Sequence, residues 1–372
     1  MRKTKIFIIF LFFSLLLLPL VFTNLEKYYV SELDNRKLVE APWDRENIDP
    51  LRYTKNFDNY LKDRIGFRSE MIYIYEICHY KLFDELVNPL YSQGEDGYIF
   101  PRLSENAEFG SYHVAFADMV KKIQDLCEER DTQFIFMFNP SKTTVLEKYV
   151  PDYVHYDNSW TTQFFELLDE REINYLDNTD LLIEKSQAGE MVYNIKYDAN
   201  HWNDLGAYYA CNAVLDKLNE AVPAVQVNCR DDFIIEEKVE PTLYKSNFPI
   251  NDLVPVFYLK SEYYSLREEY NDQVARDPRF TYFEYFINPE NIEKGVPKTL
   301  SFQGSYMNYH IGYKFFIEAL GEYIGVHNYQ NILNFEYYYN LFEPEIVVFE
   351  VAEYTIKNEY FNYQDMMEFI TS

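Results

Sequence analysis

The residues best suited to chemistry are Asp198 and His201, three positions apart in YDANHWNDLGAYYA, and Ser305, which follows Gly304 where an apolar run ends in FQGSYMN. A serine hydroxyl is a weak nucleophile until a base accepts its proton. An imidazole does this near neutral pH, and a carboxylate on its other nitrogen fixes the tautomer and stabilises the cation. The chain has six histidines: His79, His113, His155, His201, His310 and His327. Of these, His201 alone has an Asp close by in a tight polar turn with an aromatic, Trp202, beside it. Gly304 allows a sharp turn from strand to helix that aims the Ser305 hydroxyl outward, with the Ser305 N–H at a helix start facing a developing oxyanion. Plainer readings stand beside these. A DxxH is also a turn and helix cap, a Gly-Ser before a helix is also an N-cap, and spacing alone leaves both open.

Such residues need a scaffold, and the pattern supplies one. HVAFADMVKKIQDLCEER has helical periodicity, and TQFIFMFNP is a continuous apolar run suited to a buried parallel strand. SWTTQFFELLDERE reads as a helix with Ser159 as N-cap candidate, EINYLDN as a strand, and NDLGAYYACNAVLDKLNEAV as a helix opened by Asn203. KTLSFQGS and EIVVFEVAE are further strands, separated by the helical pattern MNYHIGYKFFIEALGEYI. Alternating strands and helices predict an α/β fold, a doubly wound parallel sheet flanked by helices, whose ligands bind at the carboxyl ends of the strands. Ser305 and Asn139 fall at such ends. Glu350 and Glu353 close the last strand, where they either line the cleft or merely end the sheet.

Residues 6–22 (IFIIFLFFSLLLLPLVF) carry no charge and follow Arg2, Lys3 and Lys5. They are just long enough to cross hydrocarbon, with the body exported. Bulky residues at the exit favour an uncleaved signal-anchor, although the short run and Pro19 keep cleavage open. The expected organisation is an anchor over 1–25, a membrane-proximal stalk and helices over 26–95, and an α/β domain over 96–372. An acidic, Tyr-rich insertion or cap interrupts that domain at about 230–298. A formal charge of −27 argues against nucleic acid as a partner. The 36 Tyr and 30 Phe are compatible with glycan stacking and with AT-rich coding alike. Cys78, Cys127 and Cys211 lie in apolar helical patterns expected to bury them, and Cys211 and Cys229 could pair. No spacing suggests a metal site or calls for a cofactor.

YDANHWNDLGAYYA resembles the DxxH block of SGNH hydrolases, and its Trp and Gly-Ala resemble the alginate O-acetylation proteins and the related DHHW-motif group. SELDNRKLVEAP, KDRIGFRSE, GEDGYIF and FNPSKTTVL resemble blocks of that group in the same order, over roughly residues 32 to 355. The resemblance implies an SGNH fold outside the membrane that handles acyl groups on a polysaccharide, with a membrane-bound O-acyltransferase as partner. It carries Ser305 over as nucleophile, His201 as base and Asp198 as orienter. Asn139 is then the candidate side-chain oxyanion donor, with Lys142, Gly304 and Trp202 positioning the site. FQGSYM departs from the usual Gly-Asp-Ser and puts Gln303 near the expected acid. The function expected is an extracytoplasmic O-acetyltransferase or esterase. The alternative is a non-catalytic glycan-binding or scaffolding subunit of a polysaccharide modification complex.

Overall fold

The structure, a computed structural model, describes residues 2–372 apart from 28, 32–35, 45–49, 88–90, 104–107, 197–199, 240–251, 275–280, 309–310 and 330. The chain divides into two compact units, residues 1–93 with 241–250, and residues 94–240 with 251–372. The first is helical: α1 (Arg2–Val21), α2 (Pro50–Arg64) and α3 (Arg68–Phe83). Within α1, Thr4–Val21 is long and apolar enough to cross a membrane, and none of it is buried.

The second unit is built on a seven-stranded sheet. Its strands and the hairpin beside it are β1 (Gln133–Asn139), β2 (Tyr175–Asp177), β3 (Phe233–Val239), β4 (Leu253–Leu259), β5 (Tyr264–Ser265), β6 (Phe283–Ile287), β7 (Lys298–Gln303), β8 (Glu322–His327) and β9 (Ile346–Ala352). The order across the sheet is β2-β1-β9-β7-β8-β6-β5. The first five strands run parallel, with Asn139 beside Ala352, Phe349 beside Phe302 and Gln303 beside His327. β6 and β5 add an antiparallel edge that the alternating pattern did not foresee, and β3 and β4 form a separate antiparallel hairpin. All four of these strands come from the acidic, Tyr-rich stretch.

Period-2 alternation explains why β1 is apolar throughout. Phe134, Phe136 and Phe138 face a core with α4 (Ser111–Glu128) and α5 (Trp160–Glu170), while Ile135 and Met137 face one with α6 (Asp204–Ala221) and α7 (Tyr313–Ala319). Of the helix expected over residues 307–324, only α7 is formed. Residues 305–307 make a turn, α7 follows, and the end of that stretch enters β8. Gly321 marks the break, because a Cβ there would lie 2.7 Å from the Val296 carbonyl oxygen. The backbone thus packs closer than any side chain permits, and this delivers the next parallel strand. Ser159 makes no side-chain cap; Asp157 accepts the Ser159 N–H instead. All four cysteines are free; Cys127 and Cys211 are buried, but Cys78 and Cys229 are exposed.

Candidate active site

Ser305 sits on the turn after β7, where Met307 and Asn308 N–H groups both donate to the Gly304 carbonyl. His201 lies just ahead of α6, whose N-cap Asn203 accepts from the Leu205 and Gly206 N–H groups. The fold brings these distant residues together: His201 Nε2 is 2.8 Å from Ser305 Oγ. Both are half-buried, open enough to meet a substrate. Asp198 lies outside the described residues, but both flanks of its segment are held. Lys142 Nζ donates to the Ile195 carbonyl at 3.1 Å, and the Tyr306 hydroxyl donates to the Asn200 carbonyl at 2.8 Å. Trp202 is buried and donates its indole N–H to the Tyr306 carbonyl at 2.8 Å. The residue after the base is thereby bonded to the residue after the serine.

Lys142 is fully buried, with its ammonium 5.7 Å from the centre of the Phe100 ring. Asn139, expected to face an oxyanion, is fully buried. Its amide donates to Glu350 Oε1 at 2.9 Å and its oxygen accepts from Asn178. Among the described contacts it reaches the serine turn only through Glu350, whose Oε2 accepts the Gly304 N–H at 2.6 Å. The amide of Asn328, just past β8, donates to the Glu350 carbonyl oxygen. Glu350 therefore ties together the carboxyl ends of four adjacent parallel strands. Burial pushes its carboxyl up to about 7, against the pull of the Gly304 N–H, the Asn139 amide and His201. Gln303 points away from this tie, accepting from the Tyr323 hydroxyl and donating to Asn308. Glu353 is also buried, accepting the Ser141 N–H and the Thr144 and Tyr156 hydroxyls. It fastens the turn that carries Lys142. Desolvation raises its carboxyl as well.

One neighbour of the serine was not foreseen: the Tyr354 hydroxyl is 3.2 Å from Ser305 Oγ. Among 36 tyrosines nothing in sequence distinguishes it, except that it directly follows Glu353 at the end of β9. Among the described residues no cluster of His, Cys, Asp and Glu is arranged to hold a metal ion. What remains is a hydroxyl, a base within hydrogen-bond reach and a second hydroxyl, set where the strand order reverses. The chain goes from β1 outward to β2 in one direction, and from β7 to β8 in the other.

Residues 92–252 match the family model described as SGNH hydrolase-like domain, acetyltransferase AlgX. Over those residues the chain is similar to SGNH hydrolase-like domains. The matched span holds the Asp198–His201 block and ends ahead of Ser305, so the pairing of that serine with His201 is read from tertiary geometry. Among solved structures, PatB1 from Bacillus cereus shares the fold of the SGNH-like domain, with a TM-score of 0.54 at 12% identity over 73% of this chain and 99% of that one. The O-acetyltransferase domain of Pseudomonas putida AlgJ aligns with a TM-score of 0.49 at 14% identity, over 76% and 99% of the two chains. A DHHW family protein from Eubacterium siraeum aligns with a TM-score of 0.48 at 14% identity, over 75% and 98%. No curated protein matches the chain.

Proposed function

We propose that the protein is a membrane-anchored, extracytoplasmic O-acetyltransferase or esterase acting on a secreted or cell-wall polysaccharide. The observation that carries this reading is the 2.8 Å contact between His201 Nε2 and Ser305 Oγ at the carboxyl ends of the parallel strands. The matched family description names an acetyltransferase, and α1 has the length and composition of an anchor. Ser305 Oγ attacks the acyl carbonyl as its proton passes to His201, and the new C–O bond leaves the charge on the carbonyl oxygen. The Ser305 N–H and the Tyr354 hydroxyl donate to that oxygen. Collapse expels the donor's oxygen, which takes the proton back from His201 and leaves acyl-Ser305. A sugar hydroxyl then gives its proton to His201 and attacks the ester, and collapse expels Ser305 Oγ, which takes that proton back from His201; water in place of the sugar hydroxyl makes the same site an esterase. Asp198 orients the imidazole, and Glu350 and Asn139 position the serine turn. A membrane-bound O-acyltransferase is the proposed source of the acyl group.

The purified chain in detergent is expected to release acetate from an activated acetyl ester and to lose at least about a thousandfold in rate as Ser305→Ala, the usual scale for removing such a nucleophile. Equal rates in the two proteins would overturn the reading.

A further inference from the structure

α3 and the residue that precedes it carry an exposed apolar stripe. Phe67, Met71, Ile74, Tyr75, Cys78 and Leu82 recur at the spacings that fall on one side of a helix. All six are exposed, Ile74 to 61% and Leu82 to 71%. The stripe contains no charge, whereas Glu76, on the far side of the helix, is buried. A soluble surface seldom leaves so continuous an apolar face uncovered.

The stripe begins where the hydrocarbon-crossing helix ends. The Phe67 ring lies 5.2 Å from that of Phe22, the residue after α1, and the Gly66 N–H donates to the Pro19 carbonyl at 2.8 Å. A Cβ on Gly66 would sit 2.6 Å from Phe22 Cβ and 2.7 Å from that carbonyl oxygen, so the glycine makes the junction possible. The 18 residues of Thr4–Val21 span about 27 Å as a helix, close to the hydrocarbon thickness. Phe22, and with it the start of α3, therefore lies at the level of the lipid head groups. Aromatic and long apolar side chains are favoured at that depth.

We propose that α3 lies along the outer bilayer surface, with this stripe seated in the boundary between head groups and acyl chains. The proposal rests on α1 being a retained anchor. It would make α1 and α3 a two-part attachment that holds the membrane-proximal unit flat against the lipid.

The test uses the full chain with Cys229→Ser, leaving Cys78 as the exposed thiol for a nitroxide label, in phosphatidylcholine vesicles at low protein density. After flotation, collision of the label with oxygen and with a water-soluble nickel chelate is measured by power saturation. The expected result is flotation with oxygen access exceeding nickel access severalfold. Fluorescence of an Ile74→Trp variant should also be quenched by brominated lipid. Flotation with a label open to nickel overturns this proposal alone, because the stripe then faces water. Spin–spin broadening that grows with protein density overturns it in favour of a second copy. Failure to float overturns the anchor, and this proposal with it.

Discussion

At the residue scale the site depends on two hydroxyls and one imidazole. The Tyr354 hydroxyl and His201 both contact Ser305 Oγ, at 3.2 and 2.8 Å. If the tyrosine donates to the oxyanion, its bond strengthens as charge develops, and its loss falls on kcat rather than KM. Tyr354→Phe is therefore expected to lower kcat for an activated ester by about tenfold or more, toward the range seen for removal of one oxyanion donor. A change confined to KM would instead assign Tyr354 to acyl-group binding. Motif spacing could not have shown this residue, because it reaches the serine from a third strand end.

At the element scale the position of the serine turn is set by the strands behind it. α4 holds the sheet through Phe116, whose ring contacts Phe136, Phe164, Phe349 and Phe361 at 5.1 to 6.2 Å. The side chain is fully buried. Phe116→Ala removes this shared contact between β1, β9, α5 and the C-terminal segment, and is expected to cost about 3–5 kcal/mol in denaturant unfolding. A loss under about 1 kcal/mol would mean that the neighbouring rings collapse into the space. These apolar elements were legible from their periodicity. The break at Gly321 was not, because it follows from a close approach to the Val296 carbonyl in another segment.

At the scale of the whole molecule, Glu350 couples the strand ends to pH. Its carboxyl is pushed up to about 7 from an ordinary 4.5. Below about pH 4.5 the folded and unfolded chains are protonated alike at this position. As the pH rises from there to about 7, the folded chain keeps a proton that the unfolded chain releases, so this group's contribution to stability falls. By linkage the loss approaches about 3 kcal/mol above pH 7. In Glu350→Gln the dependence is removed. Wild type should thus lose more stability between pH 5 and pH 8 than the variant does, measured as thermal unfolding in detergent. Parallel pH profiles would show that Glu350 does not titrate in this range.

The sequence by itself determined the alternation of strands and helices, the apolar N-terminal helix and the blocks that bear Asp198, His201 and Ser305. These are local patterns of periodicity and residue type, and they survive in one dimension. Only the tertiary structure decided that His201 meets Ser305, that Asn139 serves Glu350, and that Glu350, in an otherwise apolar strand, holds the Gly304 N–H. It also decided the antiparallel sheet edge and the exposure of the α3 stripe, where Cys78 had been expected inside. Each of these depends on which strand ends and helix faces become neighbours, and that is set by long-range packing and by the need to pair every buried polar group. Neither is written in the spacing of residues along the chain.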